Sequence, residues 1–265
     1  VDPSRPSPAR LYDYYLGGHN NFEADRRAAE ALRRSLPALS DAAWANRGFH
    51  QRAAHWLATE AGLRQFIDIG SGLPTVGNTH QVVQRVDPAA RVIYADIDPM
   101  VAAQSAALLA GTPNVTLVTA DLRDPDALLG HPAVRSMIDF TEPAGLLMTA
   151  VMHFVADGSD PWGLVTRYVA ALAERSYLAL SHATPDGLPP IAVHAMVETY
   201  AHATEQLVLR SRAEVARFFA GMEMVPPFPG AADALTFVGQ WGAVDPASAD
   251  SDGSRVLYCG VARCR

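Results

Sequence analysis

One stretch constrains the fold of this chain more than any other: Phe66-Ile67-Asp68-Ile69-Gly70-Ser71-Gly72. Its apolar run has the length and residue types of a strand buried on both faces. Gly-Ser-Gly then reads as a tight turn. A helical pattern follows from Pro74, a good first-turn residue because its missing N–H would be unpaired there. Strand, glycine turn and helix in that order bring backbone N–H groups and a helix N-terminus to a ligand. Gly70 and Gly72 lack a Cβ, so a ligand can lie against the main chain on either side of Ser71. Asp68 offers a carboxylate at the same rim. A plain strand-to-helix turn has the same look, and it is the downstream sequence, which repeats strand–acid–helix twice, that favours a ligand site.

Upstream, helical patterns cover residues 9–16, 23–35 and 41–61, with Ser40 as a candidate N-cap of the third. Trp44, Phe49, Ala53, Trp56 and Leu57 recur at helical spacing and read as a core stripe. Residues 1–8 carry three prolines and read as a loose tail. From residue 64, strands at 65–69, 91–96, 115–119, 144–151 and 176–181 alternate with helices at 74–86, 99–110, 125–129, 161–173, 191–209 and 213–220. That alternation predicts an α/β fold: a mostly parallel seven-stranded sheet with helices on both faces. Leu235–Trp241 and Val256–Ala262 read as a closing C-terminal β-hairpin. The expected organisation is a helical N-terminal extension, 1–62, on a sheet domain, 63–265, forming one compact unit.

Composition narrows the partners. A net charge of −7 without clustered Lys and Arg argues against a nucleic-acid surface. No apolar run reaches membrane-spanning length and the N-terminus is no signal peptide, so a cytoplasmic protein is expected. Cys259 and Cys264 do not pair within one strand, and no His/Cys spacing suggests a metal site.

Three strand ends carry acids: Asp68, Asp96 and Asp121. Ligands of open α/β sheets bind at those ends. A carboxylate after the second strand suits a ribose, and one after the third suits an exocyclic amine such as that of adenine. Asp98 competes with Asp96, although its place before Pro99 marks it as a helix cap. With Gly70, Ser71 and Gly72, and with Ile97 and Leu122 beside the acids, these are the candidate cofactor contacts.

This set resembles the Rossmann-like, class I S-adenosylmethionine-dependent methyltransferases. More narrowly, nearly the whole chain resembles a bacterial S-adenosylmethionine methyltransferase-like family long catalogued as a domain of unknown function. The matching stretches are Ala9–Gly18, Asn20-Asn21-Phe22, Asn46-Arg47-Gly48-Phe49, Gln65–Thr75 and His153-Phe154. The resemblance implies S-adenosylmethionine as cofactor, S-adenosylhomocysteine as product and a small-molecule acceptor. It also favours a lid over the cofactor made by Tyr14, Gly17, Gly18, Asn21 and Phe22, in place of a packed turn. One departure is Pro74, where many class I enzymes have a third glycine.

Two rivals remain open at this point. A nicotinamide-dependent oxidoreductase would want Gly or Ala where Thr75 stands. A catalytically silent S-adenosylmethionine-binding or regulatory protein would share the fold without the reaction. His153, directly after the fourth strand, is the candidate catalytic residue, as a base or as a cofactor-orienting donor, and His182 is next in line. Arg47 could hold a carboxylate, but a surface ion pair is the simpler reading for it. His194 and His202 read as ordinary surface residues.

Overall fold

The computed structural model describes residues 1–265. Three helices, α1 (Pro8–Tyr15), α2 (Glu23–Ser35) and α3 (Leu39–Thr59), precede the sheet. Then follow β1 (Gln65–Ile69), α4 (Thr79–Val86), β2 (Arg91–Asp96), α5 (Pro99–Leu109) and β3 (Val115–Thr119). The middle of the chain forms α6 (Pro125–Gly130), α7 (Pro132–Met137), β4 (Gly145–Thr149), α8 (Pro161–Ala170) and β5 (Tyr177–Ala183). The last part forms α9 (Pro190–Ala201), α10 (Arg212–Ala216), β6 (Glu223–Met224), β7 (Thr236–Phe237) and β8 (Leu257–Arg263).

The strand order is β3-β2-β1-β4-β5-β8-β6, with β7 also paired to β8. Strands β1 to β5 are parallel, and β8 runs antiparallel to β5 over seven residue pairs. The order reverses between β1 and β4, and that switch point opens a crevice at the carboxyl ends of the strands. Consecutive apolar residues are needed here because the two sheet faces bury different cores. Phe66, Val92, Tyr94, Leu147 and Ala179 face a core shared with α1 to α3. Ile67, Ile69, Ile93, Leu146 and Leu178 face a second core that includes Val134, Leu164 and Val165. The N-terminal helices therefore bury the strands directly.

Several boundaries differ from the sequence expectation. There are eight strands, two of them only two residues long. The stretch 235–241 keeps just Thr236–Phe237, because Gly239 then turns in to donate its N–H to Ser254 Oγ (2.8 Å). The helix expected from Pro74 begins at Thr79, where Asn78 and Gln81 form a capping box. The first residues after the glycine turn are loop, so no helix N-terminus abuts it. The helix expected over 191–209 stops at Ala201. Beyond it, single backbone bonds from Thr204 to Pro6, from Val208 to His153 and from Arg210 to Ala183 hold the chain in an irregular crossing. Trp44 is 54% exposed and is not part of the core, whereas Phe49, Ala53 and Leu57 are fully buried. Ser40 lies inside α3, whose N-cap is Ala38.

Candidate active site

At the end of β1 the chain turns through Gly70 (φ 70°) and Gly72 (φ 66°), a backbone that side chains with a Cβ rarely adopt. The two glycines have different surroundings. A Cβ at Gly70 would fall on the Val151 side chain, whereas a Cβ at Gly72 would meet open space. The turn does not present bare donors. Gly70 donates to Ala95 O (2.8 Å) and Gly72 to Asp96 Oδ2 (2.8 Å). What it leaves free is the buried Ser71 hydroxyl, which has no partner.

The three strand-end acids sit in unlike places. Asp68 is buried and accepts the Thr79 hydroxyl at 2.6 Å. Burial lifts its carboxyl to a pKa of about 6, against the pull of that hydrogen bond and of Arg47. Asp96 accepts the N–H groups of Gly72 and Asp98, one on each oxygen. A carboxylate has about four acceptor sites, so each oxygen keeps a further lone pair. Burial raises its pKa, and the N–H donors of Asp98 and Gly72 oppose that rise. Asp121 is half-exposed and carries Arg123 on its carboxylate (2.8 Å). Asp98 caps α5 through Met100 N and accepts the Ser7 hydroxyl at 3.0 Å, which ties it to the N-terminal segment.

Opposite the turn, α3 presents Asn46, Arg47 and His50. Residues one turn apart on a helix share a face, and here that face is polar. The His50 ring joins Thr149 at the end of β4 (2.9 Å) to Thr79 (2.8 Å), and Thr79 joins Asp68. Because Thr79 donates to Asp68, it accepts from His50 Nε2–H, and His50 Nδ1 accepts from Thr149. Burial and then Arg47 hold His50 well below the usual imidazole range, so it is neutral. Arg47 is not the surface residue of the simpler reading. It is 8% exposed, bonds to Asn78 Oδ1 (2.8 Å) and the Val76 carbonyl, and has no carboxylate in ion-pair reach.

His153 follows β4 in a short 3₁₀ turn and is buried. Its Nδ1 accepts the Ala183 N–H at 3.2 Å, which leaves the proton on Nε2. Burial, and next the Arg210 charge, bring its pKa to about 3. The ring is therefore a neutral N–H donor with no lone pair free to act as a base. His182 is a strut. Its Nδ1–H donates to its neighbour's carbonyl, Ala183 O, and its Nε2 accepts from Arg210 (2.7 Å). Arg210, 1% exposed, also binds the carbonyls of Met152 and Val155 and the Asp157 carboxylate, so it fixes the turn that carries His153. His194 on α9 and His202 at its C-cap are exposed and do not line the cavity described below.

One cavity of about 470 Å³ joins these elements, within the usual range for small-ligand sites. Asp68, Gly70, Ser71, Gly72, Asp96, Ile97, Asp98, Asp121, Leu122 and His153 all line it. Tyr14, Gly17, Gly18, Asn21 and Phe22 do not. Tyr14 donates to Glu30, Gly18 and Asn21 pack on Asp13, and Phe22 lies under the Arg10 guanidinium. The cover comes from the stretch just before, with Val1, Asp2, Ser7 and Pro8 along the cavity wall. This segment is pinned rather than loose: Arg5 donates to Ala203 O, Thr204 N to Pro6 O, and Ser7 to Asp98. Sequence reasoning also missed Tyr12, Tyr15, Met196, Tyr200 and Leu207 on the cavity wall.

A profile of the S-adenosyl methyltransferase family matches residues 1–265. A DUF574 family protein from Streptomyces avermitilis superposes with a TM-score of 0.92 at 39% identity, over 100% of this chain and 99% of that one. A methyltransferase candidate from Thermobifida fusca gives 0.90 at 40% identity, over 99% and 96% of the two chains. The chain belongs to the S-adenosyl methyltransferase family. TnmH, 18% identical with a TM-score of 0.51, covers 91% of this chain and 60% of its own and shares the fold. No curated protein matches. The cofactor of this methyltransferase is S-adenosylmethionine, and the nicotinamide reading falls away. Its residues fit that group. There is open space above Gly72, an unpartnered Ser71 hydroxyl, acceptor capacity left on Asp96, and a buried Arg47 without a carboxylate.

Proposed function

We propose that this methyltransferase acts on a small molecule held in the same cavity as the cofactor. One observation carries the reading: a single cavity runs from the acid-lined strand ends to an apolar pouch between α1, α2 and α9. When bound, S-adenosylmethionine supplies an electrophilic methyl group on its sulfonium. Asp96 would hold the ribose hydroxyls with its remaining lone pairs. Ile97 and Leu122 would flank the adenine, with Asp121 toward its amine. Arg47 would take the amino-acid carboxylate, because a buried cation without an anion is costly and a ligand can supply one. Ser71 would complete the cradle, and Gly72 would allow close approach. His153 would orient a ligand oxygen through Nε2–H. The acceptor therefore brings its own lone pair, and the chain contributes by holding it in line and excluding water.

The test uses two ligands. S-adenosylhomocysteine carries the amino-acid end and 5′-methylthioadenosine lacks it. Asp96→Ala should weaken both by about 1.5–3 kcal/mol, the range for a hydrogen bond to a charged group. Arg47→Met should weaken S-adenosylhomocysteine by a similar ~1.5–3 kcal/mol and leave methylthioadenosine nearly unchanged. Calorimetry showing equal losses for both ligands in Arg47→Met would remove the carboxylate contact. Unchanged affinity in Asp96→Ala would move the ribose elsewhere.

A further inference from the structure

The two ends of the cavity differ in what they leave unsatisfied. At the strand ends the acids are hydrogen-bonded to neighbouring groups, and the Ser71 and Thr75 hydroxyls are left without a partner. In the pouch the walls are Leu32, Leu39, Met196 and Leu207, all members of one continuous apolar core. Set into those walls are aromatic rings. Phe154 and Tyr200 lie with centroids 5.5 Å apart at a 45° tilt, and Tyr15 stands beside them on α1. Two tyrosine side chains thus line a greasy space.

Their hydroxyls are the notable feature. Tyr15 is 95% buried by its 5% exposure, and its hydroxyl has no hydrogen-bond partner. The Tyr200 hydroxyl is close enough to influence it, yet the two do not meet in hydrogen-bond geometry. A neighbouring phenol on the same helix behaves otherwise: Tyr12 donates to Ala43 O and accepts from Asn46. A buried hydroxyl left unpaired is costly, and folded proteins seldom keep one without a use. Both phenols are pushed upward by burial, so they are neutral donors across the ordinary pH range. The pouch walls named above are uncharged, and Arg10, a buried cation of the cavity lining, is paired to Asp25 at 2.7 Å with both side chains inside.

We infer that the acceptor is a neutral aromatic molecule bearing an oxygen, and that Tyr15 and Tyr200 select it by hydrogen-bonding that oxygen in the pouch. The inference rests on the pouch being the acceptor end of the site. Rings suit rings here because tilted and edge contacts add to simple burial, and the Met196 thioether adapts to an aromatic edge. A charged acceptor would lose its hydration with nothing to replace it. Tyr15 and Tyr200 are thereby specificity residues. No chemical step is assigned to them.

The experiment uses phenol, toluene and benzoate as probes, followed by ligand-observed NMR titration of the full chain loaded with S-adenosylhomocysteine. Phenol should bind saturably and about 3–10-fold tighter than toluene, the fold-change for one hydrogen bond. Benzoate should be the weakest. Tyr15→Phe should bring the phenol-to-toluene ratio toward one while toluene binding holds, and Tyr200→Phe should lower the same ratio. Benzoate binding tightest, the absence of saturable phenol binding, or a ratio unchanged in both variants would each overturn the inference. Binding of S-adenosylhomocysteine is measured first and reports on the cofactor reading separately. If it fails, the phenol-to-toluene ratio in the free protein still decides the pouch.

Discussion

The strand end and the pouch are two halves of one cavity built by opposite means. The strand end is a lattice of short polar contacts: Gly72 on Asp96, Met100 on Asp98, Thr79 on Asp68. The pouch is assembled from distant stretches, α1, α2, α9 and the crossing after α9, that touch through apolar packing. A lattice of that sort transmits any loss to its neighbours, so its parts are expensive to remove. The pouch can lose a polar atom with little effect on the fold. That contrast ranks the effects expected from single substitutions.

The largest loss should come from Arg210→Met. The guanidinium serves the Met152 and Val155 carbonyls, His182 and Asp157, and it does so from full burial. Removing it orphans several groups at once and should cost about 3–5 kcal/mol in urea unfolding. A loss below ~1 kcal/mol would mean that water replaces it, and the strand end would then be less tightly coupled than the contrast requires.

The two glycines come next, and they test whether the turn is shaped for the fold or for the ligand. Gly70→Ala combines a left-handed backbone with a collision at Val151. It should lose about 2–4 kcal/mol of stability. Gly72→Ala has the backbone strain alone, about 1–2 kcal/mol. Its added methyl meets open space at a residue that lines the cavity, so it should weaken S-adenosylhomocysteine more than Gly70→Ala does in whatever fraction of that variant folds. The reverse order in calorimetry would break the assignment of Gly72 as the cofactor's floor.

How much of this could be seen in the sequence follows the same division. The strand end was legible because its signals are local. Acids at or just past the ends of apolar strands, a G-x-G turn and an Asp before Pro99 need no knowledge of tertiary contacts. Even there, the fate of the N–H groups was not legible, since Asp96 is 24 positions from the Gly72 it accepts from. The polar face of α3 left a trace, Asn46 and His50 at helical spacing beside Arg47, but one sequence could not show that the sheet buries it. The pouch was illegible for a physical reason. Tyr15, Met196 and Tyr200 look like ordinary core residues on apolar helix faces, and only the packing of α2 against both α1 and α9 leaves a gap there. The N-terminal cover was misplaced for a related reason. Double glycine after α1 is turn chemistry, yet the stretch that reaches the cavity is the proline-bearing one before it, held by Arg5 and Ser7.

Asp68 gives a pH test of the strand end. Its carboxyl rises from 3.8 to about 6 on folding, burial being the main cause. The folded state thus holds the proton more tightly than the unfolded chain. Stability from this group is fully present below the unfolded value and is lost as pH climbs through about 6. Relative to Asp68→Asn, the wild type should lose stability between pH 4 and 7 by at most ~3 kcal/mol. Paired urea titrations across that window give the difference directly. A difference that stays flat would mean that Asp68 ionises in the folded state as easily as in the unfolded one.

The smallest effect belongs to the pouch, and its sign is the informative part. Tyr15→Phe deletes a hydroxyl that nothing in the chain satisfies, and it keeps the ring that packs in the core. A paired hydroxyl such as that of Tyr12 should cost about 0.5–1.5 kcal/mol when removed. An unpaired one should do the opposite, because the unfolded chain hydrates it and the folded chain does not. Tyr15→Phe should therefore raise the stability of the cofactor-free protein, by about 0.5–1 kcal/mol, while Tyr12→Phe lowers it. Urea unfolding of the two variants side by side controls for the general cost of changing a tyrosine on α1. Ligand then sharpens the comparison. Added phenol stabilises the folded state by mass action in proportion to its affinity, so it should stabilise the wild type more than Tyr15→Phe and narrow the gap between them. If Tyr15→Phe is instead destabilised as much as Tyr12→Phe, the Tyr15 hydroxyl already has a partner in solution. In that case Tyr15 holds the pouch together and does not wait for an acceptor.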